Sequence, residues 1–324
     1  MTATPAPGPG PDRDAAVTLD VDASTLRVDR RRNRLRLFVT LVVAVILYWL
    51  AVMIAAVVLG LVLALRLLLE SGEVATSLDE LKFLGIGLAG VAGVAAVIGS
   101  LVAAFRLPLQ RRRLEKQVLA ESGARIVGDT ATEPGVRRVR NILDALAIAA
   151  DIPPPRFAIV EDPAPNSFAV GTRPSRAIVA VTRGAIDALA RDELEAILAY
   201  EVSRIGSADV ALSSWTVALT GAAMGALDDD VSRLVGKLPF WASGRLRRWA
   251  MRDAAFERDK AAVRFTRNPS SLLHALETLR EEPLEVERVS AATAPLWFEV
   301  PARVEGARTT VDERIAALRR LGAG

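Results

Sequence analysis

Residues 37–65 contain no charged side chain and almost no polar one, a run longer than the ~20 residues needed to cross the hydrocarbon core of a bilayer. A run of that length is hard to place on the surface of a water-soluble domain, so it predicts a transmembrane helix. A cluster of Arg30, Arg31, Arg32, Arg34 and Arg36 precedes it. A second apolar stretch, 83–105, ends at Arg106, with Arg111, Arg112 and Arg113 just beyond. The connector carries Glu70, Glu73, Asp79 and Glu80 against Arg66 and Lys82. Basic residues at both outer ends and acidic ones in the loop place the N-terminus and everything after residue 106 in the cytoplasm, as expected of a multi-pass protein of the plasma (inner) membrane.

Composition agrees with an anchored globular domain. The 324-residue chain is 51% hydrophobic, which is high for a soluble protein, yet 24% of it is charged. It has no Cys, so disulfides, thiolate catalysis and Cys-based metal sites are excluded. A net charge of +3 and basic clusters without aromatic or helix-turn-helix context argue against nucleic-acid binding. Inside the second stretch, Gly85, Gly87 and Gly90 match a dinucleotide-binding pattern, but no strand precedes them, so the match carries no chemistry. Gly85, Ala89 and Gly93 are spaced four apart, which suits close packing against the first span or another copy of the chain.

The expected organisation is a disordered Pro/Gly-rich tail over 1–26, a two-span anchor with basic flanks over 27–113, and a cytoplasmic domain over 114–324. Helical periodicity marks 135–150, where Val136, Val139, Ile142, Leu143 and Leu146 share a face. Strands are predicted at 157–160 and 177–182, separated by a turn-rich loop over 162–171, and helices at 183–190, 250–266, 269–280 and 311–321. The apolar stretch 210–227 is borderline for a span and carries Ser213, Ser214, Thr216 and Thr220. Arg and Pro interrupt 231–250, so 210–250 reads as a buried or membrane-surface hairpin, with Phe240, Trp241, Leu246 and Trp249 suited to the interface. Residues 281–310 read as irregular, with Trp297 and Phe298 filling a gap in the core. The fold class is mainly α (α+β), with a small β-sheet.

The helix predicted over 191–209 holds the chemistry. Leu194, Leu198, Val202 and Ile205 fall on one side, Tyr200 and Arg204 stack on another, and Glu201 lies between. A zinc-peptidase helix places two His at i and i+4 around a Glu that activates water; here only the Glu is present. Four further patches occur in order: Pro163 to Gly171 (Pro-Ala-Pro-Asn-Ser-Phe-Ala-Val-Gly), the Arg-Asp-Glu-Leu-Glu run at 191–195, Phe256-Glu257-Arg258-Asp259, and Asp312-Glu313-Arg314-Ile315. Across about 141–321 the sequence therefore resembles the membrane-bound zinc metallopeptidases of the HtpX and CAAX-prenyl-protease type. The resemblance implies a zincin-like helical peptidase domain with Glu201 as general base. It places the zinc ligands at Tyr200, Arg204 and Ala255, a further His at Arg308, and supporting acids at Asp209 and Asp259. It also implies that the strand at 177–182 borders a cleft and accepts a substrate peptide as an added strand. Asn166, Ser167, Phe168, Ala169, Val179 and Val181 would line that cleft, although Asn166 equally suits a plain turn. The one His, His274, lies in an apolar run away from all these positions and reads as a satisfied or surface side chain.

Three protein donors and a water make a catalytic zinc site. A protonated phenol is a poor ligand, a guanidinium is a permanent cation, and Ala255 has no donor, so no zinc is expected although the family uses it. Without a metal, Glu201 faces water with a pKa near ~15.7 and idles. Ser203 has no evident His partner to activate it. Arg204, three residues from Glu201, can instead supply the charge that zinc would have supplied, with Asp259 facing the pair from a neighbouring helix. The leading expectation is a membrane-anchored, catalytically inactive relative that binds peptide or membrane-protein segments or regulates a partner. One alternative is an active zinc metalloendopeptidase in membrane-protein quality control with remodelled ligands; another is an oligomeric membrane scaffold.

Overall fold

The computed structural model describes residues 23–71, scattered positions between 85 and 100, then 114–128, 133–221, 254–282, 284–290, 293–301, 304 and 309–320. The tail before residue 23, most of the second apolar stretch, the return arm of the 210–250 hairpin with Trp241 and Trp249, and Arg308 lie outside them.

Helix α1, Ala23–Ser71, takes in both the Arg cluster and the whole 37–65 run. At ~1.5 Å per residue its 49 residues extend about 74 Å. Helix thus begins earlier than the predicted tail boundary at residue 26, because nothing between Ala23 and the Arg cluster breaks it. Among the described residues no helix is long and apolar enough to cross a membrane, so the two spans predicted at 37–65 and 83–105 are not supported by the structure. At Gly85 and Gly93 an added Cβ would meet nothing within 4 Å, so the packing of that face against the first span is not observed at these two positions. The two apolar stretches do meet elsewhere, where the Trp49 indole donates to Ser100 Oγ at 2.9 Å.

The globular part is mainly helical around one four-stranded sheet. Strands β1 (Ala124–Ile126), β2 (Arg156–Val160), β3 (Ser167–Val170) and β4 (Ile178–Thr182) lie in the order β1-β2-β4-β3. β4 pairs parallel with β2 (Ala158 opposite Ala180) and antiparallel with β3 (Phe168 opposite Ala180). Two of these strands went unread in the sequence. β1 is only three residues long, and β3 occupies part of the stretch taken for a turn-rich loop. The prolines before it do set a turn, but the four residues Ser-Phe-Ala-Val then extend and pair.

Helices α2 (Pro134–Ala149), α3 (Arg183–Ala188), α4 (Arg191–Gly206), α5 (Asp209–Gly221), α6 (Ala254–Thr266), α7 (Pro269–Glu281) and α8 (Val311–Arg320) complete the domain, with a further helical segment over 114–122. Both faces of the sheet are covered. Val179 and Val181 point into one core with α2, α4 and α7, whereas Ile178 and Ala180 point into the other with Leu114, Val118, Val217 and Trp297.

α4 is the hub, packing against α2, α5, α6 and α7. Its first turn is closed by the Glu193 carboxylate, which accepts from the Ala190 amide at 2.9 Å, with Asp192 and Glu193 favourably placed at the positive end of the helix. It ends at Gly206, three residues sooner than the predicted 191–209. Ala208 adopts a left-handed backbone (φ 62°) that turns the chain, and Asp209 opens α5 instead of closing α4. The last carbonyls of α4 are not left bare: Arg30 Nε donates to Gly206 O at 2.8 Å and Asn33 Nδ2 to Ser207 O at 3.0 Å, so α1 docks on the negative end of the hub helix.

Candidate functional site

Tyr200, Glu201 and Arg204 lie mid-helix on α4, where sheet, α5 and α6 converge, and all three are buried. Arg204, 1% exposed, is the centre of the site. Its NH1 donates to Glu201 Oε2 at 2.8 Å and to the Leu296 carbonyl at 2.9 Å; its Nε donates to Asp209 Oδ2 at 2.9 Å. NH2 reaches the Pro295 carbonyl at 3.1 Å and Ser213 Oγ at 3.4 Å. Every nitrogen of the guanidinium therefore has an oxygen partner, as a buried cation requires. The i,i+3 pairing of Glu201 with Arg204 follows from helical spacing alone, whereas the partners from α5 and from 295–296 arrive through the tertiary fold.

Glu201 is fully buried, and both its oxygens are engaged, Oε1 by the Ser167 hydroxyl at 2.9 Å and Oε2 by Arg204. Burial pushes its carboxyl above the ordinary range, with the Arg204 charge and the Ser167 hydrogen bond opposing. Burial also pushes Asp209 up, but Arg258 and Arg204 outweigh it and hold the carboxyl below its ordinary value. Desolvation likewise works against the charge on Arg204, yet Glu201 and Asp209 more than compensate and raise its hold on the proton. Burial raises the Tyr200 phenol, so it stays protonated at neutral pH, its ring edge-on to Phe298 at 4.7 Å.

A second buried guanidinium sits beside the first. Arg314 of α8, 2% exposed, makes a forked pair with Asp259 (Nε to Oδ2 at 3.0 Å, NH2 to Oδ1 at 2.7 Å) and donates from NH1 to the Phe298 carbonyl at 2.9 Å. Its guanidinium carbon lies 4.3 Å from the Phe298 ring centroid and 5.5 Å from that of Tyr200. This corrects one expectation: Asp259 belongs to Arg314, and the acid that shares Arg204 with Glu201 is Asp209, which also receives Arg258 NH2 at 2.9 Å. Nothing in local spacing marks Arg314, since its partner is 55 residues away.

The cleft residues divide. Asn166, Ser167 and Phe168 do gather at the site, but Ala169, Val179 and Val181 are completely buried in the core beneath it. β4 cannot take an added strand, because β2 and β3 already use both of its hydrogen-bonding edges. The only β3 edge left open by the sheet is its outer one, and it faces residues 297–299. Ala255 is half-buried on α6 and His274 is exposed on α7.

The residues around Glu201 do not fit a divalent cation. No group of three His, Cys, Asp or Glu side chains suited to hold a metal occurs among the described residues. The lone pairs of Glu201 and Asp209 are already directed at guanidinium protons, and that fixed cation would repel a second one.

Glu299 carries a raised carboxyl. Burial raises its carboxyl from 4.5 to about 7, against the attraction of Arg314 (NH1 to Oε2 3.4 Å) and with the help of Asp259 and Glu285. A carboxyl raised on folding binds its proton more tightly in the folded state, so this stabilising contribution is complete below pH 4.5 and is lost as pH climbs through about 7. Glu299→Gln is therefore expected to flatten the fall in stability between pH 5 and 8, by roughly 3 kcal/mol at most over the full window. Thermal unfolding of wild type and variant at both pH values reads this directly; parallel pH profiles would reject it.

The description of peptidase family M48 matches residues 135–320. A protease HtpX homologue of Dictyoglomus turgidum is 31% identical over 210 residues, covering 56% of this chain and 68% of that protein. One from Listeria innocua is 31% identical over 225 residues (58% and 68%), and one from Listeria monocytogenes 29% over 244 residues (64% and 78%).

Proposed function

Because this chain belongs to peptidase family M48 and is HtpX-like, we propose that it is a membrane-anchored member that does not hydrolyse peptides and keeps the peptidase-like body as a structural or regulatory module. The observation that carries the reading is Arg204, a permanent cation buried between Glu201 and Asp209. In this reading the family's metal positions fall at Tyr200, Arg204 and Ala255, and the guanidinium does for the two carboxylates what a metal ion would do electrostatically. It offers no open coordination position and no means of acidifying a water, so Glu201 has no nucleophile to generate.

Membrane anchoring is supported by α1. The uncharged run 37–65 is helical throughout, and Phe38, Ile46, Leu50, Ile54, Val58, Leu59, Leu61 and Leu65 are all exposed, on every side of the helix. That much exposed apolar surface suits lipid rather than water. The basic residues before the run support a cytoplasmic side for the docked end of α1 and, in this reading, for the globular domain. The body is then available to a cytoplasmic or membrane-protein partner, but capture of an extended peptide has to proceed at β3 and not at β4.

Protein purified in detergent is expected to carry less than about a tenth of a zinc ion per chain even after incubation with zinc, and to leave casein intact, with Glu201→Gln indistinguishable from wild type in both assays. Stoichiometric zinc together with Glu201-dependent digestion would establish the alternative, a working metalloendopeptidase.

A further inference from the structure

The outer edge of β3 is already paired. Phe168 and Trp297 form an antiparallel bridge, and the Phe298 amide donates to Ser167 O at 2.8 Å. Asn166 extends the ladder with its side chain: Oδ1 accepts from the Glu299 amide at 3.1 Å and Nδ2 donates to the Glu299 carbonyl at 2.9 Å. The same Oδ1 accepts from the Ser167 amide at 2.8 Å, which holds the carboxamide in place. Asn166 thus reads one residue of the facing segment much as a strand would.

Upstream, the segment crosses the chemistry-bearing helix. The carbonyls of Pro295 and Leu296 point at Arg204, whose NH1 is also 2.8 Å from Glu201 Oε2. A main-chain carbonyl, a cation and the central Glu are therefore lined up, with the peptide bond after Leu296 lying over the site. Downstream, the Phe298 carbonyl is held by Arg314. The side chains are seated too: Trp297 packs against Phe168 with the rings tilted by 50° and centroids 4.7 Å apart, and Phe298 lies against Tyr200 and Arg314.

We propose that Asn166, Ser167, Phe168 and Arg204 form a binding site for an extended peptide with two adjacent aromatic residues, and that residues 295–299 of this same chain are its resident ligand, an internal peptide that is bound and not cut. This rests on the non-hydrolytic reading above, since Glu201 beside a working metal would threaten the Leu296–Trp297 bond. Extended main chain gives the hydrogen bonds with little demand on sequence, and the two aromatic seats supply the preference. A tethered ligand has an effective concentration in the millimolar range or above, so a free peptide at micromolar concentration does not displace it.

The test uses full-length protein in detergent and a fluorescent synthetic peptide of residues 293–301, with a scrambled control. Wild type is expected to bind neither, whereas Trp297→Ala/Phe298→Ala binds the native-order peptide at least about tenfold more tightly than wild type and ignores the scrambled one. Equal binding to wild type and variant, or none to a variant that still unfolds cooperatively, overturns the proposal. If the variant does not fold, hydrogen exchange on wild type decides: the Phe298 and Glu299 amides are to be as slow as those of Val179 and Val181 in β4, and loop-like exchange rejects a seated strand. The two readings fail separately. A variant that binds the peptide and cleaves it keeps the site and overturns the non-hydrolytic reading, while a zinc-free, inert variant that binds nothing removes this inference alone.

Discussion

Replacing Arg204 with alanine is expected to destabilise the domain by about 3–5 kcal/mol and to lower its thermal midpoint by about 10 °C, one of the two largest effects any single substitution should have here. The side chain it removes is the common partner of Glu201, Asp209, Ser213 and two main-chain carbonyls. Glu201 then remains fully buried with only the Ser167 hydroxyl, an uncompensated charge that must either take up a proton or draw water into the core. Asp209 suffers less, because Arg258 still reaches it. The consequence is a specific non-additivity: in the Arg204→Ala background, Glu201→Gln should recover more than about 1 kcal/mol, since it deletes the charge left behind. Strictly additive changes in a double-mutant cycle would show that the two side chains fill space and do not form a compensated pair.

Arg314→Ala is expected to be about as severe, roughly 3–5 kcal/mol, for a related but distinct reason. It strands Asp259 in the interior and releases the Phe298 carbonyl and ring, so the 295–299 segment loses its downstream anchor. Here the sharper comparison is with Arg314→Lys. A single ammonium cannot reproduce the forked pair to both Asp259 oxygens while reaching a carbonyl, so lysine should restore less than half of the lost stability. A lysine variant that unfolds at the wild-type midpoint would mean that charge alone, without fork geometry, is what the site needs.

How much of this could be read from the residues varies with distance along the chain. The hub helix, its apolar side and the Glu201–Arg204 pair are properties of spacing within one element, and they stand in the structure as spacing predicts. Asp209 was visible as a neighbour in sequence but not as the acid that shares Arg204. Its position depends on the left-handed turn at Ala208, which α-helical periodicity does not announce. The four residues of β3 follow turn-forming prolines and show no strand pattern of their own, and their pairing closes the β4 edge that the family resemblance assigned to a peptide and keeps Val179 and Val181 in the core. The Pro-interrupted stretch around Trp297 carries no periodicity at all, because its order comes from β3, Arg204 and Arg314 and not from itself.

The amino-acid order alone determined the family, the uncharged run 37–65, the hub helix and the spacing of Glu201 and Arg204, because each is a matter of which side chains exist and how far apart they lie on one element. Only the tertiary structure decided which acid meets which arginine, which strand is the edge, and what lies along it. Those outcomes depend on burial, where a charge must find a partner wherever the fold brings one, and on strand order, which no local pattern encodes.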